Sequence, residues 1–213
     1  LFTPVLIAGS LILLISFAIR STFGLFQIPI AEDLLWARSE FSLAIAIQNL
    51  AWGIGTPLFS AFAEKYGDRK AISIGLILYA LGVFISSTAS SPEAHQLLNV
   101  LIGFGIAGSG FGPILAVVGR AASDKNRSLA LGITTAAGSA GQVIGPPFAA
   151  ILLSIMPWHS VFEIFAIISL LTIILVPILK NKNKITLKKS DEKLGEALKE
   201  AINDPTYIML FLG

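Results

Sequence analysis

One arginine, Arg20, interrupts an otherwise apolar run, and its placement decides what chemistry this stretch can do. Val5 to Ile19 is apolar or small except for Ser10 and Ser16. At 1.5 Å rise per residue a helix over that run covers only about 22 Å, short of the roughly 30 Å hydrocarbon core of a bilayer. A membrane span must therefore continue through Arg20 into Phe23, Leu25, Phe26 and Ile28, ending near Pro29 ahead of Glu32 and Asp33. Arg20 then lies a turn or so beyond the midplane. An ionised side chain there costs at least ~2.5 kcal/mol, so it is expected to face the protein interior or a watery cavity. Ser16, Arg20 and Gln27 share one helical face by their spacing, which predicts a polar stripe turned inward. A guanidinium in a low-dielectric site pairs with carboxylates through charge-assisted hydrogen bonds. The plainer alternative is an arginine that snorkels or is paired structurally.

The remaining intramembrane polar groups are Gln48, Asn49, Trp52, Asn99, Thr134, Gln142 and Glu163. Of these, Asn49, Trp52, Asn99 and Gln142 join Arg20 as candidate ligand contacts, with interhelical hydrogen bonding the competing role for each. Gln48 and Asn49 are adjacent, so they point about 100° apart on a helix and need not share a cavity. Glu163 opens a span near its outer end, where a carboxylate suits a helix N-terminus and not a proton relay. No buried acid remains, so a proton-coupling carboxylate is expected outside this stretch. His95 and His159 lie near span ends, too far apart in sequence for a metal site, and read as interfacial. There is no cysteine, which excludes disulfides, thiolate metal sites and a cysteine nucleophile. No paired acids, histidine cluster or nucleophile–base pair appears at useful spacing, so no enzyme and no cofactor are expected.

These residues need membrane helices to position them. The 213 residues are 54% hydrophobic and 13% charged, with mean hydropathy +0.81. Soluble domains carry about 25% charged residues, so an all-α integral membrane protein is expected. Hydropathy predicts spans at about Pro4–Ala31, Glu40–Ala63, Ala71–Ala89, His95–Gly119, Ser128–Ile155 and Val161–Leu179. The short loops make consecutive helices antiparallel neighbours. Lysine and arginine are strongly one-sided: 13 of the 15 fall in the loops holding Lys65, Arg69 and Lys70, then Arg120, Lys125 and Arg127, and in the segment after Leu179. The positive-inside rule puts that side, and the start of the first span, in the cytoplasm.

An internal echo links the second and fifth spans. Ser42-Leu43-Ala44 leads to Ile54-Gly55-Thr56-Pro57, and Ser128-Leu129-Ala130 leads to Ile144-Gly145-Pro146-Pro147. Two three-helix units of opposite topology would place these helices in matching positions, while chance similarity between Gly- and Ala-rich spans is the competing account. After a lysine-rich stretch, Ser190 can N-cap a short helix whose Leu194, Ala197, Leu198, Ala201 and Ile202 form an amphipathic face. Asp204-Pro205 ends it, and an apolar run from Tyr207 to Leu212 begins a further span. The expected organisation is a six-helix bundle over 1–180, a cytoplasmic linker over 181–205 and the start of a seventh span over 206–213. Without an initiator methionine and with an unfinished last span, the chain reads as a fragment cut at both ends.

The loop Ser60-Ala61-Phe62-Ala63-Glu64-Lys65-Tyr66-Gly67-Asp68-Arg69-Lys70 resembles the Gly-x-Leu-Ala-Asp-Arg-x-Gly-Arg-Lys signature of the major facilitator superfamily. Glu64 stands for the acid, Lys65 for the first base, Gly67 for the turn glycine, and Arg69 and Lys70 for the closing basic pair. Ser60, Phe62 and Asp68 depart from the pattern. The resemblance implies charged contacts that latch the two halves of a transporter, so Glu64, Gly67, Arg69 and Lys70 are expected to gate. Gly141, Gly145 and Pro146 resemble the Gly-x-x-x-Gly-Pro motif of superfamily exchangers, where glycines allow close helix contact and prolines bend the helix. Asn99 stands where many members place an arginine, which removes a cation linked to proton handling. Arg127-Ser128-Leu129-Ala130-Leu131-Gly132 and the first helix around Arg20 are similar to monocarboxylate carriers and oxalate–formate exchangers.

The resemblance implies the N-terminal half of a twelve-helix transporter working by alternating access on a small organic anion such as a monocarboxylate. Its partners would be the lipid bilayer, the anion, the C-terminal half and protons as a candidate coupling ion, with no nucleic acid. Drug or other solute efflux on the same fold, and a non-transporting membrane sensor, are the alternatives.

Overall fold

The structure, a computed structural model, describes residues 3–179 together with 203, 205 and 209. The account below concerns the unit Leu1–Lys182. The expected linker helix and the start of a seventh span lie outside the described residues.

Among the described residues the fold is helical throughout. The α-helices are α1 (Pro4–Thr22), α2 (Gln27–Leu34), α3 (Arg38–Tyr66), α4 (Asp68–Ser86), α5 (Pro92–Ser109), α6 (Phe111–Ala121), α7 (Arg127–Ile155) and α8 (Trp158–Leu171). Six membrane-length units follow, because α1–α2, α5–α6 and α8 with its extension are each one span with a local break. Five of the six are long and apolar enough to cross a membrane. The exception is α3, whose 29 residues suffice by length but whose Ser42, Gln48, Asn49, Thr56 and Ser60 lower its hydropathy.

The three breaks correct the expectation of continuous spans, and each has a proline behind it. A proline lacks an N–H and its ring clashes with the carbonyl four residues back. Pro29 acts on Leu25, inside the 3₁₀ segment Phe23–Phe26 that separates α1 from α2. Pro113 acts on Ser109, the last residue of α5, after which Gly110 is extended (φ −92°, ψ −158°) before α6 begins. Pro177 acts on Ile173, within the 3₁₀ segment Thr172–Ile178 that continues α8. By contrast, α7 runs unbroken through Pro146 and Pro147.

Packing is densest where glycines line the contact. Helix α7 lies on α1 so closely that a Cβ at Gly141 would meet the carbonyl oxygen of Leu14, and one at Gly145 that of Ala18. Helix α3 lies on α5 in the same manner: a Cβ at Gly103 would meet the Gln48 carbonyl, and one at Gly55 would sit 2.8 Å from Ala107 Cβ. Exchanging two three-helix units would turn the first of these pairs into the second. The echoed glycines, Gly55 and Gly145, thus occupy corresponding contacts, as an inverted repeat requires.

Two apolar clusters fill the bundle. One gathers Phe26, Tyr79, Ile102, Phe162 and Phe165 near the α1–α2 break. The other gathers Leu13, Phe17, Ile72, Leu76, Ile114 and Val117 toward the opposite end. The outer surface is apolar too. Ile74, Ile77, Leu81 and Phe84 are exposed along α4, and Ile167, Leu170, Ile174 and Ile178 along α8 and its extension.

Candidate functional site

Arg20 sits near the end of α1, at the level where the helix gives way to its 3₁₀ segment, and its side chain turns onto α3. Nη2 donates to Asn49 Oδ1 at 2.8 Å. The guanidinium carbon lies 4.5 Å from the Trp52 ring centroid and 6.0 Å from that of Phe17. Asn49 and Trp52 are three residues apart on α3, so one helical face presents both to α1. Phe17, one turn before Arg20, packs edge-on against Trp52 at 5.7 Å and tilted against Phe111 at 4.5 Å, which fixes the aromatic floor. Asn49 Nδ2 donates to the Ile45 carbonyl at 3.0 Å, which holds the amide with its oxygen toward the arginine.

The electrostatics of this group are simple. The acceptor on Arg20 is a neutral amide and its other neighbour is an aromatic face. Among the described residues no carboxylate pairs with it, so the positive charge is held but not cancelled. Nε is buried without a partner. Arg20 is half-buried and Asn49 exposed, so the group opens at the surface of the bundle between α1 and α3.

Other candidates are elsewhere. Asn99 is fully buried and makes both its bonds to protein: Oδ1 accepts from Gln48 Nε2 at 3.0 Å and Nδ2 donates to the His95 carbonyl at 2.8 Å. It fastens α5 to α3 and does not join Arg20. Gln142 is exposed on α7 and makes no hydrogen bond among the described residues. The polar stripe on the first span is divided. Ser16 is buried against the core, while the 3₁₀ turn carries Gln27 round to the start of α3, where Nε2 donates to Ser42 Oγ at 2.9 Å. His95, expected at an interface, is buried and stacked on Phe41 at 5.5 Å, with both ring nitrogens unpartnered.

The α3–α4 turn holds an ion pair at the residue where it departs from its signature, Asp68. Gly67 takes φ +98°, a conformation that L-residues rarely adopt, so the glycine is needed for the turn itself. Glu64, Arg69 and Lys70 are exposed, and none makes an ion pair among the described residues. Instead Asp68, the first residue of α4, binds Arg120 at the end of α6. Asp68 was legible only as a departure from the signature. Its partner is 52 residues away, and nothing local in the sequence joins the two.

A bundle of membrane-length helices, packed by glycine contacts and holding an unneutralised cation, is the architecture of a helical membrane protein. The chain belongs to the Major Facilitator Superfamily, whose family model matches residues 9–213. Monocarboxylate transporter 11 of Mus musculus is 30% identical over 145 residues, covering 66% of this chain and 30% of that protein. The Escherichia coli protein named "Probable L-galactonate transporter" is 24% identical over 149 residues, covering 70% of this chain and 32% of that one. Among solved structures, a bacterial homologue of the human lysosomal transporter Spinster, inward-facing and unoccupied, superposes with a TM-score of 0.71 at 20% identity over 95% of this chain. This chain covers 49% of that structure, and about a third of the curated relatives. The relatives are transporters and not enzymes, and the chain is an integral membrane protein.

Proposed function

We propose that this chain is the N-terminal six-helix half of a secondary active transporter that moves a small organic anion, monocarboxylate-like, by alternating access. The observation that carries the reading is Arg20. It is positioned by Asn49 and Trp52, lies inside a transport fold, and has no carboxylate partner among the described residues. A neutral acceptor orients a guanidinium without satisfying its charge, so a carboxylate arriving from water gains a charge-assisted bond with little reorganisation. The half-buried Trp52 ring, backed by Phe17, offers an apolar wall for the body of an organic acid. Names borne by the relatives, a monocarboxylate transporter and an L-galactonate transporter, agree in naming carboxylates. A second half would close the pathway, with protons as the coupling ion supplied through its carboxylates. The lysine- and arginine-rich loops would face the cytoplasm of a cell membrane.

The test is uptake of labelled lactate by the full-length carrier in proteoliposomes. Arg20→Ala should abolish saturable uptake while the protein still inserts and purifies as a folded species. Unchanged kinetics in that variant would remove the anion reading. Stabilisation of the purified carrier by cationic compounds, and not by monocarboxylates, would point to the efflux alternative.

A further inference from the structure

A second basic feature lies away from Arg20, on the outer surface where α4 begins. A groove of about 440 Å³ runs between the first turns of α4 and the 3₁₀ extension of α8. Arg69, Lys70 and Ser73 form one end, and Ile74, Ile173 and Val176 the floor. Both cations are exposed and neither is in an ion pair among the described residues. Asp68, their neighbour in sequence, is already bound to Arg120. The floor continues into the exposed apolar rows of α4 (Ile74, Ile77, Leu81) and of the α8 extension (Ile174, Ile178), surfaces that suit lipid tails in a membrane protein.

We propose that this groove binds an anionic phospholipid, its phosphate on Arg69 and Lys70 with the Ser73 hydroxyl as a further donor, and an acyl chain along Ile74 and Ile173. The occupant follows from the pairing of features. Two uncancelled cations select a negative headgroup, and an apolar channel leading from them along the helices selects a molecule with tails. A soluble anion would use the first feature alone. The site would tie this end of α4 to the composition of one leaflet. It stands independently of what Arg20 binds.

Purified full-length carrier would be titrated in neutral detergent with phosphatidylglycerol, with phosphatidylcholine and with free glycerol phosphate, following thermal stability and lipid retention by native mass spectrometry. Phosphatidylglycerol should stabilise and be retained, while the other two should do neither. Arg69→Gln with Lys70→Gln should weaken the phosphatidylglycerol titration roughly twenty-fold, each basic residue near an anionic surface contributing a factor of about five. Ile74→Glu, on the floor, should weaken it with both cations intact. Equal retention of both lipids by the unaltered carrier would overturn the proposal, and so would a double variant that holds phosphatidylglycerol as the unaltered carrier does. Stabilisation by glycerol phosphate as strong as that by the lipid would overturn it in favour of a soluble-anion site.

Discussion

At the scale of residues, the decisive feature is the kind of acceptor that Arg20 meets. An amide oxygen at 2.8 Å aligns the guanidinium but leaves its full charge for a ligand, whereas a carboxylate in the same place would take that charge. Asn49→Asp therefore makes a direct prediction. The new acid should pair with Arg20 and compete with any anionic substrate, lowering kcat/KM for uptake by about a hundredfold, while Asn49→Ala should cost about tenfold or less. Uptake kinetics in proteoliposomes check both values, and a milder effect for the acid than for alanine would contradict the account. Asn99 shows the opposite arrangement. With Oδ1 and Nδ2 both bonded to protein and no exposed surface, it has nothing left to offer a ligand.

At the scale of elements, glycine contacts and proline breaks do most of the shaping. The α1–α7 contact leaves no volume for a side chain at Gly141, where a Cβ would overlap the Leu14 carbonyl. Gly141→Leu should push the helices apart and destabilise the purified carrier by about 3 kcal/mol, read as a lowered thermal midpoint. Gly53, with nothing within 4 Å, is the matched control. Gly53→Ala should be neutral or stabilising by roughly 0.5–1 kcal/mol, because alanine restricts the unfolded chain. A gain at Gly141 like that at Gly53 would mean that helix propensity, and not close approach, decides the effect of filling these glycines. The prolines act through the carbonyl four residues upstream, and three of the six spans are broken there. Only one of those breaks bears on the site: the 3₁₀ turn after Thr22 sends Gln27 to α3 and leaves Arg20 as the one charged residue of α1.

At the scale of the whole molecule, the arrangement of charges predicts an orientation. Lys125 lies in the basic loop between α6 and α7, and Glu93 at the start of α5 on the opposite side. Both are exposed, and the chain has no cysteine of its own. Cysteine placed at Glu93 should react with a membrane-impermeant maleimide in intact cells, and cysteine at Lys125 only after permeabilisation. The reverse pattern would invert the topology. The same scale accounts for the inverted repeat, because only the pairings α1 with α7 and α3 with α5 give the echoed glycines corresponding contacts.

The helical membrane fold and its spans to within a few residues were legible in the sequence, as was the placement of Arg20 on the first span and of Asn49 and Trp52 on the second. Each depends on hydropathy, charge placement and helical periodicity, which are local quantities. The proline breaks were open to local reasoning as well, since Pro29, Pro113 and Pro177 are plain in the chain, but hydropathy averages over them. What only the tertiary structure decided was partnership. Asn49 and not Asn99 meets the guanidinium, Asp68 and not Glu64 holds a basic partner, and Arg69 and Lys70 border an apolar groove. The physical reason is that a polar side chain in a helix has a direction the sequence specifies and a neighbour it does not. That neighbour is set by how glycine surfaces let distant helices approach.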